Sequence, residues 1–263
     1  MKLKYFIQAI ETTKNDDYTG MVSMLPNRVK GALNRFNKKT RELEHETCLV
    51  MDSNGNKVIE KKDGDEYSIE IGKEHIPKEY LDSDTDLHLT HNHPTETILP
   101  TCLSKADCVK LLENNGIHAD LETGRLELDL VFQSITAECS NGSRMTLAIK
   151  DYDKFMDSLE IDSNGKLIYD NIANDFCGED HTSHIEKFYT EAQYAVVEHV
   201  DKWTHAQKDK GVDIHTDDFD KAWRVERDKF IKRYSEEHMA EFLKDDIKRF
   251  EDAGLELTIG WLK

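Results

Sequence analysis

The sequence predicts a mixed α/β chain in which a sheet flanked by helices is followed by an acidic, mainly helical region. Three observations carry this. From residue 45 short apolar runs alternate with turn signals such as Asp52-Ser-Asn-Gly55 and Ser140-Asn-Gly-Ser143. A helical pattern after Ser104 interrupts those runs, as strand–helix mixing requires. Beyond 150, apolar residues recur at 3.6-residue spacing.

Element by element, Leu25, Val29, Leu33 and Phe36 repeat on one face of a basic helix over 25–38. Thr47–Met51, Lys57–Glu60, Tyr67–Ile71 and Leu87–His93 read as strands, the last stopped by Pro94. A helix follows over Ser104–Asn114 with Gly116 as its stop, then strands at Leu126–Phe132, Ile135–Cys139 and Met145–Ile149. Ile185 to Trp203, Phe219 to Tyr234 and Met239 to Phe250 mark three helices, and Leu255, Leu257 and Ile259 alternate as a closing strand. Segments 1–40, 41–150 and 151–263 are therefore expected as an N-terminal strand and basic helix, a central domain and an acidic helical region.

Composition narrows the function. The chain has 263 residues, with 35 Lys and Arg against 53 Asp and Glu, for a net charge of −18. Such a surface repels phosphate backbones and disfavours nucleic-acid binding. Residues 1–45 are the exception, with nine basic against five acidic side chains. No apolar run approaches the ~20 residues a bilayer crossing needs, and no signal-peptide core follows Met1. Five cysteines without a Cys-x-x-Cys pair suit a reduced, cytoplasmic setting better than a disulfide framework.

The chemistry concentrates in His91-Asn-His93-Pro and Ser104-Lys-Ala-Asp107. Alternation along a strand projects His91 and His93 the same way, about 7 Å apart. Asp107, one turn into the next helix, is placed to add a carboxylate. Three protein ligands leave a fourth tetrahedral position open, the arrangement of catalytic rather than structural zinc. Hydrolysis there needs a carboxylate base, for which Glu46 and Glu44 are the candidates, and Ser104 offers a hydroxyl to an oxyanion. Ser104-x-x-Asp107 is equally a capping box. Cys177, Asp180, His181 and His184 form a weaker metal candidate, while His88, Cys48 and Cys108 read as core.

Together, Glu46, His91-Asn-His93-Pro and Ser104-x-x-Asp107 resemble the signature of the JAMM (MPN+) zinc metallopeptidases, E…H-x-H-x7-S-x-x-D. Glu46-Thr-Cys is similar to the opening of the ubiquitin-chain-cleaving members. His-Asn-His-Pro is similar to the bacterial RadC-type branch and to domains in phage and mobile-element proteins. The resemblance covers roughly 41–150. It implies a JAMM-like fold there, Zn2+ on His91, His93 and Asp107, Glu46 as general acid/base and Ser104 as oxyanion donor. Its implied substrate is a protein, such as a ubiquitin-like conjugate, cleaved at a peptide or isopeptide bond, in host cytoplasm if the source is a phage. Two departures stand out. Ten residues rather than seven separate His93 from Ser104, and the acid/base position is ambiguous: aligning on the strand and turn that follow favours Glu46, whereas the RadC-type spacing to Asp52 favours Glu44. The alternative implied function is a non-catalytic or RadC-like interaction module of a phage or mobile element.

Overall fold

The computed structural model describes residues 18–20, 25–65, 68–83, 85–94, 103–119, 126–140, 142–159 and 179–262. Its frame is a seven-stranded mixed sheet built from β1 (Tyr18–Gly20), β2 (Cys48–Asp52), β3 (Lys57–Lys61), β4 (Leu87–His93), β7 (Phe132–Cys139), β8 (Ser143–Ile149) and β9 (Leu255–Leu262). Their order is β1-β9-β8-β7-β4-β2-β3. β4 and β7 run parallel, and β4 runs antiparallel to β2. A separate ribbon pairs β5 (Asn114–Ala119) with β6 (Leu126–Leu130).

Helices cover both faces. α1 (Asn27–Thr40) lays Val29, Ala32 and Leu33 on Met51 and Ala148, as the 25–38 periodicity predicts. The other face is apolar, with Val50, Leu89, Ile135, Leu147 and Leu257. It packs on α4 (Tyr152–Ser158) through Phe155 and Met156. The same core takes Phe188 and Ala192 of α5 (Glu179–Asp209), Ile231 and Met239 of α6 (Asp217–Phe242) and Phe250 of α7 (Lys244–Asp252). The Asp52–Gly55 turn forms between β2 and β3. Gly55 sits at φ +73°, and a Cβ there would lie 2.5 Å from the Arg28 carbonyl oxygen, so only glycine lets α1 approach the hairpin.

The structure departs from the sequence expectations at several points. Strands from segments 1–40, 41–150 and 151–263 share one sheet, because β9 pairs with β8 and β1 with β9. The boundaries at 40 and 150 therefore fall within a single hydrogen-bonded body. The helix after Ser104 is shorter than expected: following the one-turn α2 (Lys78–Leu81), α3 spans only Lys105–Lys110, and Gly116 lies inside β5 instead of capping a helix. Ser68–Ile71 forms no strand. Met239 belongs to α6, since the periodicity of the second helix runs on without a break. The expectation of reduced cysteines fails at Cys108, which is disulfide-bonded, whereas Cys48 and Cys139 are buried thiols. No helix among the described residues is long and apolar enough to cross a membrane.

Candidate metal centre

β4 lies inside the sheet, so its alternation decides which side chains meet which layer. His91 pairs across to Cys48 of β2 and to Ala137 of β7, both in the apolar layer, and so projects from the face that carries Val50 and Leu89. His93 follows on the same face, with the two Nε2 atoms 2.7 Å apart and the ring centroids 4.6 Å apart. α3 brings in the carboxylate. Asp107 Oδ1 is 3.1 Å from His91 Nε2, and Oδ2 is 3.9 Å from His93 Nε2. Among the described residues, these three side chains bring potential ligand atoms within 4.8 Å of one another.

The donor set fits a small divalent cation. Ligands at 2.0–2.1 Å in a tetrahedron stand ~3.3 Å apart; the Nε2–Nε2 distance of 2.7 Å and the His91 Nε2–Asp107 Oδ1 distance of 3.1 Å lie near that edge. His93 and Asp107 keep 14% and 15% of their side-chain surface, so the donors are reachable from solvent. At His93 and Asp107 protonation also suits ligation, which needs neutral imidazole and ionised carboxylate. Burial, helped by the charge of His91, pushes His93 down to about 4. Burial raises Asp107, but the His91 charge and hydrogen bond outweigh it and hold the carboxyl well below its usual range. For His91, burial lowers the pKa and Asp107 more than restores it, leaving a net upward shift.

Ser104 is the N-cap of α3. Its Oγ accepts from the Asp107 N–H at 3.1 Å and donates to Asp107 Oδ2 at 2.8 Å, while its own N–H donates to the same oxygen at 2.7 Å. The capping box is thus formed, and its acid is the third member of the cluster. A hydroxyl has one hydrogen to donate. In this arrangement Ser104 spends it on Asp107, and an oxyanion contact requires that bond to open.

Glu46 is buried at 7% exposure just before β2, and its carboxyl feels the charges of both His91 and Asp107. Burial pushes its carboxyl up to about 7; the charge of His91 opposes this and that of Asp107 adds to it, while the Ile69 N–H bonds the ionised form. Glu44, the other candidate, is exposed. Of the two candidates, it is Glu46 that stands in the field of the cluster.

No family model, curated protein or solved structure matches the chain.

Other expectations resolve locally. His88 faces away from the cluster, buried, with Nδ1 2.9 Å from Ser134 Oγ. His184 Nδ1 lies 3.2 Å from Asp246 Oδ2 and ties α5 to α7. Cys177, Asp180 and His181 of the weaker cluster, and Thr95–Cys102 of the lengthened loop, lie outside the residues or side chains described. Two features escaped the sequence reading. One is the buried group in which Glu138 receives Asn37 Nδ2 at 2.9 Å and Arg144 Nε at 2.6 Å, joining α1 to β7 and β8. The other is Asn92, which sits between the two histidines and faces the opposite side of the strand. Strand alternation flags Asn92, because it places a polar amide under α1.

Proposed function

We propose that the chain is a zinc metallopeptidase of JAMM type that hydrolyses a peptide or isopeptide bond, with a ubiquitin-like conjugate as the substrate class the motif resemblance implies. His91, His93 and Asp107 would hold the ion. A bound Zn2+ would supply Lewis acidity and an acidified water. Glu46 takes the proton of the attacking water on its carboxylate as the new C–O bond forms. It returns that proton to the departing amine nitrogen as the C–N bond breaks. A base works best with a pKa near the operating pH, and burial brings Glu46 to about 7. Ser104 holds Asp107 with one carboxylate oxygen toward itself and the other toward His91.

One observation carries this reading: a buried, raised carboxyl shares its field with a His–His–Asp cluster. A structural histidine pair needs no such neighbour. The test combines metal analysis of the purified chain with a panel of ubiquitin-like fusions and isopeptide-linked conjugates. The reading requires about one zinc per chain and cleavage of at least one substrate, abolished by Glu46→Gln with zinc retained. A zinc-loaded chain that cleaves nothing in the panel is instead an interaction module.

A further inference from the structure

Asn92 is the residue between the two histidines, and its side chain crosses to β2. Its Oδ1 accepts from the Thr47 N–H at 2.7 Å and from Thr47 Oγ1 at 2.8 Å. Its Nδ2 donates to the His45 carbonyl oxygen at 3.0 Å. The Asn92 backbone N–H donates to the Thr47 carbonyl oxygen at 3.2 Å. Asn92 and Thr47 are both buried, at 2% exposure each.

The choice of partners is informative. The His45 carbonyl belongs to the peptide plane before the Glu46 Cα, and the Thr47 N–H to the plane after it. Those two planes define φ and ψ of Glu46, and hence the direction of its Cα–Cβ bond. A third bond, from the Glu46 N–H to the Asp65 carbonyl at 2.7 Å, anchors the first plane from the other side. Continuing the register Cys48↔His91 by one step puts Thr47 opposite Asn92, and by two steps puts Glu46 opposite His93. The assigned ladder stops at Cys48; one step beyond it, a single backbone bond and the amide side chain of Asn92 together carry the cross-strand pairing.

We infer that Asn92 is a positioning residue that fixes Glu46 against the His91–His93–Asp107 cluster through the two peptide groups flanking Glu46. The inference rests on the reading of Glu46 as the group that moves the proton. The role needs an amide: asparagine offers a donor and an acceptor at once, aspartate keeps only the acceptor, and leucine keeps the volume with neither.

The test uses the full chain loaded with cobalt(II), whose visible bands report the ligand field, on wild type, Asn92→Leu, Asn92→Asp and Glu46→Gln. All four should bind one cobalt. Glu46→Gln should shift the bands, Asn92→Leu should shift them in the same direction, and Asn92→Asp by less. Asn92→Leu added to Glu46→Gln should produce no further shift. With a cleavable substrate, Asn92→Leu should lower kcat by about 10²-fold, the cost of misplacing a reacting group by an ångström, at unchanged KM. A wild-type spectrum in Asn92→Leu, or a shift that persists undiminished in the Glu46→Gln background, overturns the inference and leaves the function intact. Cobalt not bound by the wild type, or bands insensitive to Glu46→Gln, overturns the functional reading and this inference with it. If Asn92→Leu does not fold, Asn92→Asp decides: a wild-type spectrum there refutes the role of Asn92.

Discussion

Acidification should loosen the strand that carries the histidine pair, and His88 provides a way to measure it. Its ring is 3% exposed, beneath α1 on the back of β4. Burial lowers its pKa to about 4, with the Asp52 charge recovering only part of the loss. In the unfolded chain a histidine titrates near 6.5. Between these values the unfolded state binds the extra proton, so stability falls as the pH falls through the window and is fully present above 6.5. Each pH unit inside that window is worth about 1.36 kcal/mol, so His88 alone costs about 2.5 kcal/mol at pH 4.5 relative to pH 7. For a chain of this size that corresponds to a melting point lower by about 5–10 °C.

Replacing the imidazole of His88 with an asparagine amide keeps a polar atom near Ser134 Oγ, which the ring now meets at 2.9 Å, and removes the titration. The assay is urea denaturation of the metal-free protein at pH 7.0, 5.5 and 4.5, for wild type and His88→Asn. His93, also near 4, titrates in both proteins and cancels in the comparison. The variant starts lower because it loses ring packing, so the quantity to compare is the change with pH. It should lose about 2.5 kcal/mol less than wild type on going to pH 4.5. Equal losses in the two proteins would refute the argument, because His88 would then not be held neutral by the fold.

Further expectations concern the centre and its scaffold. His91→Ala or Asp107→Ala should each abolish stoichiometric zinc by elemental analysis, since two remaining donors hold the ion poorly; wild-type zinc in both would dismiss the cluster as a site. Glu46→Gln should keep zinc and lose hydrolysis, whereas Glu44→Gln, on an exposed side chain, should change neither. Arg144→Met should lower unfolding free energy by about 3–5 kcal/mol, because it strips the guanidinium from a fully buried Glu138. Pairing it with Glu138→Gln should recover part of that loss in the same denaturation assay.

The fold was legible where local pattern and tertiary context agree. The helix over 25–38 follows from its one buried face, and the strand Leu87–His93 from its alternation and the Pro94 stop, although the sheet buries it on both faces. Long-range pairing was not legible. The alternation of Leu255, Leu257 and Ile259 marks a strand, but nothing in it says that β9 inserts beside β8 and stitches the C-terminal region into the central sheet. Gly116 reads as a helix stop because glycine ends helices, yet it sits in β5 opposite β6. The grouping of His91, His93 and Asp107 was readable because two side chains on one strand face and one on the following helix converge with little help from distant chain. Asn92 was harder to read. Its partners lie 45 and 47 residues away, and spacing along β4 says only which face it occupies.

The double duty of Ser104-x-x-Asp107 leads to a last prediction. A cap and a metal ligand compete for the same carboxylate, yet the two roles divide between its oxygens. Oδ2 receives both the N–H and the hydroxyl of Ser104, and Oδ1 is the oxygen nearest His91. Capping thus fixes the rotation of the carboxylate that ligation needs, in the way outer-shell hydrogen bonds orient metal ligands. Ser104→Ala removes the hydroxyl bond and the cap acceptor while the N–H bond remains. Stability should fall by about 1 kcal/mol. Zinc affinity should fall about 10–100-fold, measured by competition with a chromophoric chelator. Ser104→Thr keeps the hydroxyl and should restore both. An unchanged zinc affinity in Ser104→Ala, with the stability loss present, would mean that the cap serves only the helix. Asp107 would then reach the cluster without help from Ser104.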